Sequence, residues 1–238
     1  MWSKEDEKNM KKILFAADDE TTEWIKKKTK DLMTLMVYYK CAIMEIETKF
    51  NVLNEEYSLE YDRNPINSIK TRLKSLQSIR AKMKEKGVSI TPDAVEETLN
   101  DIAGVRVVCS FTKDVYTLAN ALLKQDDVIL IEKKDYIANP KPNGYRSLHM
   151  IVAIPIFLAC EKHLIKVEIQ LRTIAMDFWA TLEHQLRYKK DYAITDEMAA
   201  EMLECARLSA VLDDRMDKLR KSVFMSLPEK TVSKINTK

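Results

Sequence analysis

Four segments carry residue types suited to chemistry on phosphate groups. The first is basic: Arg72 and Lys74, then Arg80 and Lys82. A triphosphate needs several donors, and these cations supply charge-assisted ones. Taken alone, the same cluster reads as the solvated face of a helix. The second is Asn100-Asp101-Ile102-Ala103-Gly104-Val105-Arg106. An acid at the mouth of an apolar strand suits a hard cation, and the Ala-Gly pair lets a neighbour approach the backbone. Its plain alternative is a turn residue followed by a paired edge arginine. The third runs from Lys134-Asp135-Tyr136 through Lys141 to Tyr145, Ser147 and His149. On a strand the last three share a face, so a ring, a hydroxyl and an imidazole point into one space beside two lysines. That set suits a purine stacked on Tyr145 with its phosphates on the cations; an ordinary hairpin fits the segment equally well. The fourth is Val167-Glu168-Ile169-Gln170-Leu171-Arg172. Glu168 is here a second metal ligand or a general base opposite Asp101, or else part of the polar face of a half-exposed strand.

The elements that must position these residues follow from periodicity. From about Thr21 to Leu53 no Gly or Pro interrupts the chain, and Trp24, Leu32, Leu35, Met36, Tyr39, Ile43, Ile46 and Phe50 recur at helical spacing. Met33, Val37 and Met44 widen the stripe, so this helix is buried or packs against another subunit. Asn64-Pro65 predicts a helix start, with Ile66, Ile69, Leu73, Leu76 and Met83 following to Gly87. Thr91-Pro92 starts a short helix to about Asn100. Strands are expected at Val105–Phe111, Val128–Glu132, Ser147–Ile156 and His163–Arg172, and helices at Val115–Lys124, Ile174–Lys190 and Asp196–Lys221. In His163–Arg172, Ile165, Val167, Ile169 and Leu171 point one way and Lys166, Glu168, Gln170 and Arg172 the other. Strands in the middle, flanked by helical blocks, give an α+β layout: a mixed sheet core between helices. The tail after Pro228 is expected to be disordered.

Composition excludes several alternatives. The chain has 238 residues and only 3 glycines, where about 7% is ordinary. Gly87, Gly104 and Gly144 are isolated, so neither glycine-rich phosphate loop can form and side chains must hold any nucleotide. Lys+Arg 39 against Asp+Glu 37 leaves +2, too even for a generic nucleic-acid binder. Cys41, Cys109, Cys160 and Cys205 form no CxxC, so neither a zinc site nor a disulfide framework is implied. No apolar run is long enough to span a membrane, and the first residues do not resemble a signal peptide. A cytoplasmic location is expected.

Taken together, the segments resemble the synthetase domain of the RelA/SpoT family, above all its small alarmone synthetases. The resemblance rests on Arg72-Leu73-Lys74, on Asp101 to Arg106, on Asp135 to His149, on Val167 to Thr173 and on Phe178-Trp179-Ala180-Thr181-Leu182-Glu183-His184. It covers roughly Asn64 to Lys190, in order and with family spacing. It implies a nucleotidyltransferase-like α+β synthetase fold, with an N-terminal helical extension (1–62), a catalytic core (63–192) and a C-terminal helix and tail (193–238). It implies transfer of pyrophosphate from ATP to the ribose 3′-hydroxyl of GDP or GTP. Arg72 and Arg106 would sandwich adenine, and Lys74, Ser78, Arg80 and Lys82 would hold the ATP phosphates. Asp101 and Glu168 would bind Mg²⁺, with Glu168 also activating the hydroxyl. Tyr145 would stack on guanine, with Lys134, Lys141, His149 and Gln170 completing the acceptor site. A homo-oligomer is implied, with a tetramer favoured, as are possible RNA binding and no membrane association.

Some positions depart from the family pattern. Thr71 stands where many members have Gly. Glu132-Lys133-Lys134-Asp135 mixes two versions of a motif that goes with acceptor preference, leaving GDP and GTP both open. Ser68 and Asp177 occupy positions that carry Phe and Asn in members activated by their own product; an added acid would oppose a polyphosphate. No His is followed by Asp, so synthesis without hydrolysis is expected. Two rivals remain at this point. A same-fold enzyme acting on the 3′ end of tRNA would need a basic surface, for which Lys26-Lys27-Lys28 is a short candidate. A catalytically silent RNA-binding module would lack Asp101 or Glu168, and both are present.

Overall fold

The computed structural model describes residues 19–61, 63–188 and 194–226, with side chains over 30–59, 63–186 and 194–223. The side chains of Trp24 and Lys26–Lys28, and the tail after Pro228, lie outside what is described. The elements run α1 (Asp19–Tyr61), β1 (Ile66–Leu73), α2 (Leu76–Glu85), α3 (Pro92–Thr98), β2 (Ala103–Cys109), α4 (Thr112–Leu123), β3 (Ile129–Asp135), β4 (Leu148–Phe157), β5 (Lys162–Thr173), α5 (Ile174–Tyr188) and α6 (Asp196–Ser226). The five strands form one sheet in the order β1-β2-β5-β4-β3. Only β2 and β5 are parallel; the other three pairs are antiparallel.

The core lies on one face of this sheet. Leu35, Tyr39, Ile46, Phe50 and Leu53 of α1 meet Val115, Leu118 and Leu122 of α4 over Val107, Met150, Val152, Val167 and Ile169. Full burial of a side chain such as Phe50 or Ile46 contributes about 1.5–3 kcal/mol. The alternation expected for β5 holds: Ile165, Val167, Ile169 and Leu171 are buried while Lys166, Glu168 and Gln170 are half-exposed. The second apolar set on α1 does not enter this core, since Met33, Val37 and Met44 are exposed.

One expected element is different. The stretch after Asn64-Pro65 is not a helix to Gly87 but the edge strand β1 followed by α2. Ile66 and Ile69, three apart, both pack on the core across a register shift between Ile66 and Ser68, while Leu73 is exposed. The real helix start is Ser75, whose Oγ accepts from the Ser78 amide at 3.2 Å. The expected face of Tyr145, Ser147 and His149 is also altered. β4 begins at Leu148, and Ser147 is fully buried with its hydroxyl donating to the Leu171 carbonyl at 3.1 Å.

Candidate active site

Strand register builds the site on the sheet face opposite the core. Directly paired residues share a face. One rung therefore reads Lys70, Arg106, Gln170, His149, Lys134 from β1 to β3, and the next reads Arg72, Gly104, Glu168, Ile151, Glu132. Residues from five separate segments thus meet in two adjacent rows. A cleft of about 230 Å³ opens over the β1–β2–β5 end, lined by Arg72, Lys74, Asp101, Arg106, Glu168 and Gln170 among others. A second cleft of equal volume lies around Arg63, Asp114 and Arg220. Its two arginines are paired, Arg63 with Asp114 at 2.8 Å and Arg220 with Asp217 at 2.9 Å, and it holds none of the residues singled out from the sequence.

At the end nearer β1, Asp101 accepts from Lys74 at 2.7 Å and Lys82 at 2.8 Å, both on Oδ2. Its Oδ1 is buried without a hydrogen-bond partner. Burial opposes its charge, but the two lysines outweigh burial and hold its carboxyl below the ordinary aspartate range. Glu168 behaves oppositely: burial, then the Asp101 charge, raises its carboxyl above the usual glutamate value. Arg72 is exposed at the cleft edge, with Gly104 opposite. Ser78 and Arg80 stand outside the cleft lining: Ser78 lies 2.9 Å from Ser75 Oγ, and Arg80 borders an apolar groove with Leu32 and Ile79.

At the end nearer β4, Tyr145 Oη accepts from Arg172 at 2.6 Å and lies 2.7 Å from His149 Nε2. Arginine only donates, so the tyrosine proton is directed to Nε2. Burial, together with Arg172, Lys141, Lys134 and Arg106, pushes the His149 pKa down to about 4. The neutral ring then carries its proton on Nδ1, 3.8 Å from Glu168 Oε1. Gln170 joins the two ends: its Nε2 donates to Glu168 at 3.3 Å while its Oε1 accepts from Arg172 at 3.0 Å. Lys134 pairs with Glu132 at 2.8 Å, and Lys141 lies over the Tyr136 and Tyr145 rings.

The residue that ties this together was noted in the sequence only as a departure from the family pattern, without its partners. Asp177, on the first turn of α5, is buried and accepts from Lys70 at 2.9 Å, Arg172 at 3.2 Å and Arg106 at 3.3 Å. Burial opposes its charge, yet Lys70 first and then the two arginines keep its carboxyl below the ordinary range. The acid therefore does not stand as a free negative charge, as the sequence suggested, but is neutralised within the chain. The signal was Arg172, which alternation already placed on the same face as Glu168.

The turn before Tyr145 leans on α6. Gly144 adopts φ +87°, and a Cβ there would run into the Ala206 methyl. Trp179 Nε1 donates to the Met202 carbonyl at 2.9 Å and Thr173 Oγ1 to Asp213 at 2.7 Å, fixing α6 beside α5. Ala206→Leu should displace the turn that carries Tyr145, since overpacking costs about 1–3 kcal/mol. If Tyr145 serves the acceptor, as the resemblance implies, initial rates with each substrate varied in turn should give an acceptor KM raised about fivefold or more and an unchanged ATP KM. Equal effects on both would show that α6 does not act on the acceptor end.

Comparison with known proteins decides the family. The region described as "Region found in RelA / SpoT proteins" matches residues 71–193. The chain belongs to the RelA/SpoT family. It is 42% identical over 200 residues to GTP pyrophosphokinase YwaC of Bacillus subtilis (strain 168), covering 81% of this chain and 95% of that one. It is 35% identical over 189 residues to GTP pyrophosphokinase YjbM of the same strain, covering 79% and 88%. The crystal structure of small alarmone synthetase 2 from Bacillus subtilis matches with a TM-score of 0.73 at 41% identity, over 81% of this chain and 99% of that one. Small alarmone synthetase 1 from the same organism, bound to its product pppGpp, matches with a TM-score of 0.73 at 33% identity, over 82% and 98%. The α+β fold of this RelA/SpoT chain is thus that of the small alarmone synthetases. Among its described residues no helix is long and apolar enough to cross a membrane.

Proposed function

We propose that this chain transfers the pyrophosphoryl group of ATP to the ribose 3′-hydroxyl of GDP or GTP, giving AMP and the guanosine tetra- or pentaphosphate. The observation that carries this reading is the position of Glu168, between the cationic donor cleft and the aromatic acceptor end. In-line transfer needs positioning and charge neutralisation more than covalent chemistry. Arg72 and Arg106 flank the adenine, and Lys74 and Lys82 turn from Asp101 to the phosphates. Glu168 takes the hydroxyl proton while the 3′-oxygen bonds to the β-phosphorus. The bond from that phosphorus to the α–β bridging oxygen breaks, and AMP leaves with the oxygen. Tyr145 carries the guanine; Lys134, Lys141 and Gln170 line its surroundings. His149, being neutral, contributes a hydrogen bond rather than a charge.

Mg²⁺ suits this donor set. Among the described residues no cluster of three His, Cys, Asp or Glu could hold a metal by itself. Mg²⁺ takes one or two carboxylates and completes its shell with water and substrate phosphates. The partnerless Asp101 Oδ1 and the Glu168 carboxylate fit that requirement. When bound, the ion would neutralise charge on the phosphates being transferred.

Incubation with ATP, Mg²⁺ and either GDP or GTP, followed by chromatography, tests the reading. AMP should appear in step with a more highly phosphorylated guanosine. ATP left intact with both acceptors would sink it, and label transferred only to tRNA would favour the RNA acceptor.

The chain should also self-associate. Met33, Val37 and Met44 on α1, Phe178, Leu182 and Leu186 on α5, and Leu208, Leu212, Leu219 and Val223 on α6 are exposed. Apolar stripes of this extent mark interfaces, and closed symmetric packing is the usual outcome. Light scattering at micromolar concentration should give a mass above one chain, with a tetramer favoured by resemblance; a mass of 27.6 kDa would refute it.

A further inference from the structure

The acceptor platform is covered in the free protein. The Lys141 ammonium lies 4.6 Å from the centroid of Tyr136 and 5.0 Å from that of Tyr145. The rings are 6.0 Å apart at 67°, so one cation serves both. A base lying on Tyr145 needs about 3.5–4 Å between its atoms and the ring, and the ammonium obstructs that approach.

Lys141 is rooted beside the ring but free at its tip. Its amide donates to the Tyr145 carbonyl at 3.1 Å, and its carbonyl accepts from Gly144 at 2.8 Å. Pro140 and Pro142 restrict the backbone on either side. The side chain is exposed and makes no ion pair among the described residues. The other cation against Tyr145, Arg172, lies 5.1 Å from its centroid. Arg172 is buried and held by Asp177, Gln170 and the Tyr145 hydroxyl. Of the two, only Lys141 can withdraw.

We propose that Lys141 makes the platform selective for phosphorylated acceptors: its ammonium occupies the stacking surface until an acceptor phosphate draws it away. A cation–π contact at an exposed site is weaker than a charge-assisted contact with phosphate. A nucleoside diphosphate therefore exchanges one contact for a better one. A nucleoside must displace the ammonium and offers nothing in return. The inference rests on Tyr145 being the guanine platform.

The test is binding by the full chain without ATP or metal, followed by NMR with guanosine and with GDP. Loss of an exposed cation–π contact corresponds to about a two- to fivefold effect. Lys141→Ala should bind guanosine tighter by that factor and GDP about tenfold weaker or more. Lys141→Arg keeps a cation and should keep the original ranking. Guanosine affinity equal to or below that of the unaltered protein in Lys141→Ala overturns the proposal. Tyr145→Ala separates the two readings. If it leaves guanosine binding unchanged, the platform assignment and this inference are both wrong. If it weakens guanosine while Lys141→Ala brings no gain, the platform stands and the role of Lys141 is wrong.

Discussion

Glu168→Gln is expected to lose about 10²–10⁴ in turnover, the usual effect of removing a general base, with any metal contribution added to that. The substitution preserves volume and can retain the contact to Gln170, so folding should be unaffected. The pH dependence gives a sharper signature. Burial and the Asp101 charge raise the Glu168 pKa, against the hydrogen bond from Gln170 and the nearby Lys74 and Lys82. In the proposed role the carboxylate works deprotonated. Activity should therefore fall as pH drops through that raised value, with the acid limb displaced above the ordinary glutamate range. In Glu168→Gln this limb should vanish with the activity. A Glu168→Gln enzyme retaining half its rate would remove Glu168 from the chemistry.

Tyr145 is expected to show two separable losses. Base–aromatic stacking is worth about 1–3 kcal/mol, so Tyr145→Ala should weaken acceptor binding roughly five- to 150-fold. From sequence, Tyr145→Phe should stay within about threefold if the hydroxyl makes no buried bond. The structure removes that condition: the hydroxyl accepts from Arg172 and meets His149. Hydrogen bonds to charged groups are worth about 1.5–3 kcal/mol, while Arg172 keeps Gln170 and Asp177 as partners. Tyr145→Phe should consequently cost about tenfold, at the low end of that range. The loss should fall more on turnover than on acceptor binding, because the hydroxyl orients His149 beside Glu168. Separate titrations of GDP and ATP, with rates, check both statements. An unimpaired Tyr145→Phe would show that the hydroxyl network is incidental. A fall in ATP affinity instead would mean that donor and acceptor ends are reversed.

Much of this fold was legible because its strongest elements have one dominant cause. α1 lacks breakers and repeats its apolar face, and β5 alternates from Ile165 to Leu171. β1 was not legible. As an edge strand with a register shift it buries little, and its isoleucines fall by accident at helical intervals. Asp101, Glu168 and Tyr145 stood out as candidates, but each segment alone also fitted a turn, a polar strand face or a hairpin, and it was the resemblance of the linked motifs that gave them roles. Their partners were not legible. Whether Asp177 meets Lys70, Arg106 and Arg172, or whether Ser147 turns inward, depends on packing between segments far apart in sequence.

The support beneath Gly144 bears on the smallest piece of this chain that can work. Residues 71–193 hold every motif of the family, yet Ala206, Met202 and Asp213 lie beyond them. A fragment trimmed to the recognisable region would keep the proposed reacting groups and lose the wall behind the Tyr145 turn, along with the α1 cover over the sheet. Where such a catalytic piece is cut for expression or fusion, the boundary should be drawn by what touches Tyr145's turn, after α6, rather than by where the motifs stop.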